Sequence, residues 1–143
     1  MTHTLSPSDL AKAAGADSER KLRLVLRANS TTSMIGGLAM AITPGAVDDA
    51  LGTGHSDWVR LVGLALVPFA ALVAWLSTTD RLSLQKYTMG IIVGDVGWVI
   101  ASVVTVLLGW YGGTGIAVVL AMALAVDAFA IGQFVAVRRL RRA

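Results

Sequence analysis

Four long apolar runs divide the chain, at residues 24–43, 59–77, 88–109 and 115–136. Each is close to the roughly 20 residues that carry a helix across a hydrocarbon core about 30 Å thick. The pattern predicts an all-α integral membrane protein: a four-helix transmembrane bundle over residues 21–137 with short loops. Residues 1–20 are polar and small and read as a cytoplasmic tail, partly disordered or carrying a short surface helix. In that tail Ser6 is placed to cap a helix, Pro7 to occupy its first turn and Asp9 to face its positive end. Gly15 is expected to end that helix after about Ala14. Pro44 should stop the first span, and "PGAVDDALG" then reads as one or two turns at the membrane surface, closed by Gly52. Residues 138–143 form a basic cytoplasmic tail.

The charges give the runs a direction. Of the twelve Lys and Arg, eleven lie in the N-terminal segment, the second connection and the C-terminal tail. Arg60 alone lies in the first connection, and the third has none. Basic residues flanking spans stay cytoplasmic, so both termini are expected inside a bacterial cytoplasmic membrane. An alternative takes Arg20–Arg27 and "MIGGLAMA" as a signal peptide cleaved near Ala39–Ala41. The polar stretch "NSTTS" at 29–33 breaks any apolar core such a peptide needs. A net charge of +3 raises nucleic acid as a partner, but the basic residues flank apolar spans instead of forming a patch, which excludes it. The cluster Arg138, Arg139, Arg141 and Arg142 is suited to topology anchoring and to anionic lipid, at about 1 kcal/mol per basic residue near the surface.

Within the spans, small and polar residues mark where helices meet. The first span carries Asn29, Ser30, Thr31, Thr32 and Ser33 in succession, so it must face protein or water. Gly90 and Gly94 form a GxxxG pair, and Ala128, Gly132 and Ala136 form a small row on the fourth span. These are packing candidates, within the chain or in a homo-oligomer. Pro68 interrupts the second span, and Trp98 falls near the midplane, one turn from Asp95.

Two carboxylates lie inside spans, Asp95 and Asp127. They sit roughly 10 Å and 13 Å from the inner ends of their helices at 1.5 Å per residue. Each costs about 2.5–3.5 kcal/mol to insert, more if it faces lipid, so both are expected to point inward. Three readings compete. Arg27 pairs with one of them and pins the helices in register. Alternatively Asp95, Asp127, Arg27, Asn29, Trp98 and Ser102 line a cavity for a cationic or lipid-like ligand. In the third, the acids carry a proton or ion path. Gln133 falls on a different face from Asp127, so those two are not expected to pair.

Other chemistry is sparse. There are no cysteines, and neither His3 nor His55 lies in a span, so thiolate sites and histidine-ligated haem are excluded. His55 with Asp48, Asp49 and Asp57 matches no metal-ligand spacing, and no catalytic set is visible, so neither a metal, a cofactor nor an enzyme is expected. The stretches "LRLVLRANSTTSMIGGLAMAITPGAVDDALG", "WVRLVGLALVPFAALVAWLS" and "DVGWVIAS" resemble small four-span bacterial membrane proteins, loosely the DoxX-like group. The resemblance implies a four-helix bundle and no activity. Small multidrug-resistance transporters also have four spans, but they use a glutamate in the first span, and here there is none. The expected role is non-enzymatic: an accessory subunit or homo-oligomer acting by helix packing. The alternative is ligand binding or transport through Asp95 and Asp127.

Overall fold

The computed structural model describes residues 6–142, all in helices and short connections. Five helices follow one another: α1 (Pro7–Ile42), α2 (Pro44–Leu51), α3 (Ser56–Leu76), α4 (Arg81–Leu107) and α5 (Gly113–Leu140). Helices α3, α4 and α5 are each long and apolar enough to cross a membrane.

α1 departs from expectation in its interior, at Gly15. It starts as foreseen, with the Ser6 side chain accepting from the Asp9 amide. It then runs straight through Gly15 for 36 residues, roughly 54 Å at 1.5 Å per residue. A glycine inside a helix costs about 1 kcal/mol relative to alanine. Burial offsets that cost: Gly15, Ser18, Leu22, Leu26, Asn29, Ser33 and Gly37 fall on one helical stripe, and all are buried. The stripe is polar in its middle, which is why α1 falls short of the three other long helices in apolar character.

Two helix pairs make the body. α1 packs along α3, α4 packs along α5, and the α1–α5 contact joins the pairs, whereas α3 and α4 barely touch. The α1–α3 crossing is tightest at Gly63. A Cβ there would lie 2.5 Å from the Ala41 amide nitrogen and 2.7 Å from the Gly37 carbonyl oxygen. Within the chain this glycine, and not the Gly90–Gly94 pair, makes the close crossing. Gly90 faces open space, Gly94 meets only the Phe69 ring, and Ala128 is exposed. Gly132 does pack, against Val25 of α1.

The core lies toward the end of the bundle that carries the α3–α4 connection and the C-terminus. Leu22, Leu26, Val73, Leu76, Leu84, Val137 and Leu140 are all but inaccessible there. Arginines lock that end by donating to backbone carbonyls, two of them at helix C-termini. Arg23 Nη1 reaches Ser77 O at 2.7 Å, and Arg81 Nη2 reaches Leu140 O at 3.1 Å. Arg141 Nη2 reaches Gln85 O at 2.8 Å. At the opposite end α2 forms a roof. Gly52 ends it in a left-handed conformation (φ 66°), and the Gly112 amide donates to Leu51 O at 3.0 Å.

Candidate functional site

Asp95 is 2% exposed and stands where α1, α4 and α5 meet. Its Oδ2 accepts two amide hydrogen bonds, from Asn29 Nδ2 at 2.8 Å and Gln133 Nε2 at 3.0 Å. Ser33 extends the chain by donating to Asn29 Oδ1 at 3.2 Å. Asn29 and Gln133 are 1% and 0% exposed, so one carboxylate oxygen ties three helices through groups that water does not reach. Gln133 Oε1 is buried without a partner.

This arrangement corrects the expected ion pair. Arg27 is exposed and points away from the cluster. Ion pairs among the described residues are Lys21–Asp17 and Arg23–Glu19, both one turn apart on α1. Arg27 lies two residues from Asn29, which is about 200° around a helix, so the stripe that buries Asn29 necessarily turns Arg27 outward. Asp127 is also exposed, contrary to the expectation that both acids face inward. The buried stripe of α5 is Ala123, Val126, Ala130, Gln133, Val137 and Leu140, and Asp127 lies beyond its edge, roughly 90° around the helix from the stripe's centre. Asp95 and Asp127 therefore do not share a site.

One and two turns along α4 from Asp95, toward the roof, Trp98 and Ser102 leave the cluster and line a cavity of about 830 Å³. Its walls come from all four long helices, among them Met40, Val62, Ala101 and Met122, and α2 with the following loop covers it. The Phe69 ring against Gly94 joins α3 to α4 at mid-height. The two helices have little other contact, and the cavity lies between them. Asp95, Asn29, Arg27 and Asp127 are not among its lining residues, so of the expected cavity set only Trp98 and Ser102 are found there.

The lining is apolar with hydroxyls already engaged. Ser102 donates to Trp98 O at 2.9 Å, and Thr105 Oγ1 is 3.1 Å from Tyr111 Oη. Three of the four tryptophans, Trp58, Trp98 and Trp110, border the space, with Tyr111 beside them. Polar character gathers at the roof. Thr53 donates to Asp48, and backbone amides of 53–55 also approach that carboxylate. The Thr53 hydroxyl, with those amides, holds the Asp48 carboxyl below its ordinary value of 3.8 despite partial burial. His55 Nδ1 is 2.7 Å from Thr53 O. A carbonyl can only accept, so Nδ1 carries the proton of this contact.

The sequence reading missed Gln133 as the partner of Asp95 and the roof residues Thr53, His55 and Tyr111. Gln133 had a usable signal: its neighbours one turn away are Ala130 and Ala136, the small residues that mark a helix-facing side. Among the described residues no group of His, Asp and Glu is arranged to hold a metal. The chain matches no protein-family model, no curated protein and no solved structure.

Proposed function

We propose that this is a multi-pass membrane protein with four crossings, α1 supplying the fourth, that binds an amphiphilic molecule bearing a hydrocarbon chain. The observation that carries the reading is the cavity of about 830 Å³ between the two helix pairs. Its size falls in the roughly 300–1,000 Å³ range of small-molecule sites, and its mostly apolar lining with a few polar groups at one end is what such sites present. The hydrocarbon chain lies along Met40, Val62, Trp98 and Met122, and the polar head sits under the roof near His55, Thr53 and Tyr111. In this reading Asp95 is a helix clamp and not a ligand group. The excess of basic residues at the terminal end supports cytoplasmic termini in a bacterial cytoplasmic membrane, with the cavity in the outer leaflet. Arg138, Arg139 and Arg142 are exposed and free to meet anionic lipid there.

The test uses single-tryptophan variants in lipid nanodiscs, titrated with a brominated single-chain amphiphile. Saturable quenching of Trp98, with Trp75 on the exposed face of α3 quenched only in proportion to bulk lipid, supports the reading. Filling the space with Ala101→Phe should weaken the saturable component by at least about tenfold. Equal, non-saturating quenching of Trp98 and Trp75 refutes it. A second reading, an accessory or oligomeric role through helix packing, is favoured by the exposed position of Asp127.

A further inference from the structure

The face of α5 turned away from the bundle carries an ordered pattern. Leu120, Leu124, Asp127, Ile131, Phe134 and Arg138 are all exposed, and they are spaced alternately four and three residues apart. A seam that repeats every 3.5 residues is the pattern by which two helices wrap around one another in a left-handed supercoil. Asp127 lies at its centre, 14 residues from Gly113 and 13 from Leu140, roughly 20 Å from either end of the helix. Among the described residues of α3, α4 and α5 it is the one exposed charged residue so far from both ends, and it has no hydrogen-bond partner among the described residues. Lipid tails offer it none.

We infer that this face of α5 is a homodimer interface in which Asp127 meets its counterpart in a second copy. Identical chains insert with the same topology, so their two-fold axis runs along the membrane normal. Any residue on that axis then meets itself at equal depth, and the contact is self-complementary. A foreign helix would have to bring a donor to this depth; a second copy does so by symmetry. Two bare carboxylates repel, but two carboxyls sharing one proton form a hydrogen bond across the axis, the proton of one bonding the oxygen of the other. Apolar side chains gain nothing by leaving lipid for one another, so a lone polar pair supplies the specificity, as a single polar residue does in a coiled-coil seam. The interface does not depend on the cavity's being a binding site, since the seam and the cavity lie on separate faces.

The chain has no cysteine, so each introduced thiol is the sole one. Leu124→Cys and Ile131→Cys, oxidised in native membranes, should give disulfide-linked dimers. Leu61→Cys and Leu72→Cys on the exposed face of α3 should give few. In a dilution assay by energy transfer, Asp127→Leu should weaken self-association roughly three- to tenfold, the range of one intramembrane hydrogen bond. Asp127→Asn should stay within about twofold of wild type, because two amides also pair. Both changes are on an outer face, so the fold is retained. Equal cross-linking from α3 and α5 overturns the inference. So does cross-linking of α5 to a different protein, or an association unchanged in Asp127→Leu.

Discussion

Replacing Asp95 by asparagine should leave the fold nearly as stable as wild type, whereas replacing it by leucine should cost about 1–3 kcal/mol. The magnitude follows from the cluster. Both amide donors converge on Oδ2, Asn29 at 2.8 Å and Gln133 at 3.0 Å. A side-chain amide oxygen at the same point has two lone pairs and accepts both. Its NH₂ then stands where Oδ1 was, within the same cluster as Gln133 Oε1, the buried oxygen that lacks a partner. Asparagine therefore keeps two bonds and offers a third. Leucine removes both and leaves two buried amides unpaired. Hydrogen bonds between membrane helices average about 0.6 kcal/mol and reach about 1.7, so two give the stated range. At 1.4 kcal/mol per factor of ten, the unfolding equilibrium shifts roughly fivefold to 150-fold. Reversible unfolding by SDS in mixed micelles measures it, with Asn29→Leu as a second route, since it removes the bond to Asp95 and the one from Ser33. If Asp95→Asn proves as damaging as Asp95→Leu, the charge itself is being held by a cation, and the clamp described above is wrong.

Other expectations follow from single contacts. Gly63→Ala should destabilise by about 1–3 kcal/mol, because its new Cβ meets backbone of α1 that cannot swing aside, at 2.5 Å and 2.7 Å. Gly90→Ala, with nothing within 4 Å, should be neutral or stabilising by up to about 1 kcal/mol. Thermal melts of both variants in nanodiscs decide the pair, and a reversed order would disprove the packing described. Asp48 titrates below its ordinary 3.8, so its contribution to the roof is complete above that value and is lost as pH falls through the lower, folded one. Tryptophan emission from Trp58 and Trp110 should therefore change only in acid, and Asp48→Asn should abolish the change. An unaltered transition in that variant would assign the acid step to another group.

Much of the fold was legible because membrane helices announce themselves by unbroken hydropathy. Pro44 and Gly52 gave the ends of α2, and Ser6 with Asp9 gave the start of α1. Gly15 misled because a glycine after a short polar segment reads as a stop, and only the buried stripe from Gly15 to Gly37 reveals a reason to continue. The depths of Asp95 and Asp127 were readable from rise per residue, but their directions were not. Direction is set by which neighbour each helix chooses, and depth says nothing of that. The size of the residues one turn away does not give it either: Asp95 has Ile91, Ile92, Trp98 and Val99 there and is buried, whereas Asp127 has Ala123 and Ala130 there and is exposed.

Where the helices are tied to one another explains why the cavity is where it is. At the terminal end, leucines that fill the core and arginines on helix-end carbonyls hold the helices together. At mid-height the Asp95 cluster ties α1, α4 and α5 but makes no bond to α3. α3 is held instead by its glycine crossing with α1 and by Phe69 against Gly94. α3 and α4 barely touch, and no hydrogen bond among the described residues joins them, so the cavity opens between them. Asp95 has its acceptor oxygen committed to two buried donors, and Ser102 and Thr105 are engaged with neighbouring groups. What remains to recognise a ligand is shape, the aromatic rings and the polar roof near His55. That combination is why we propose an amphiphile with its head under the roof and not a small cation bound at the midplane.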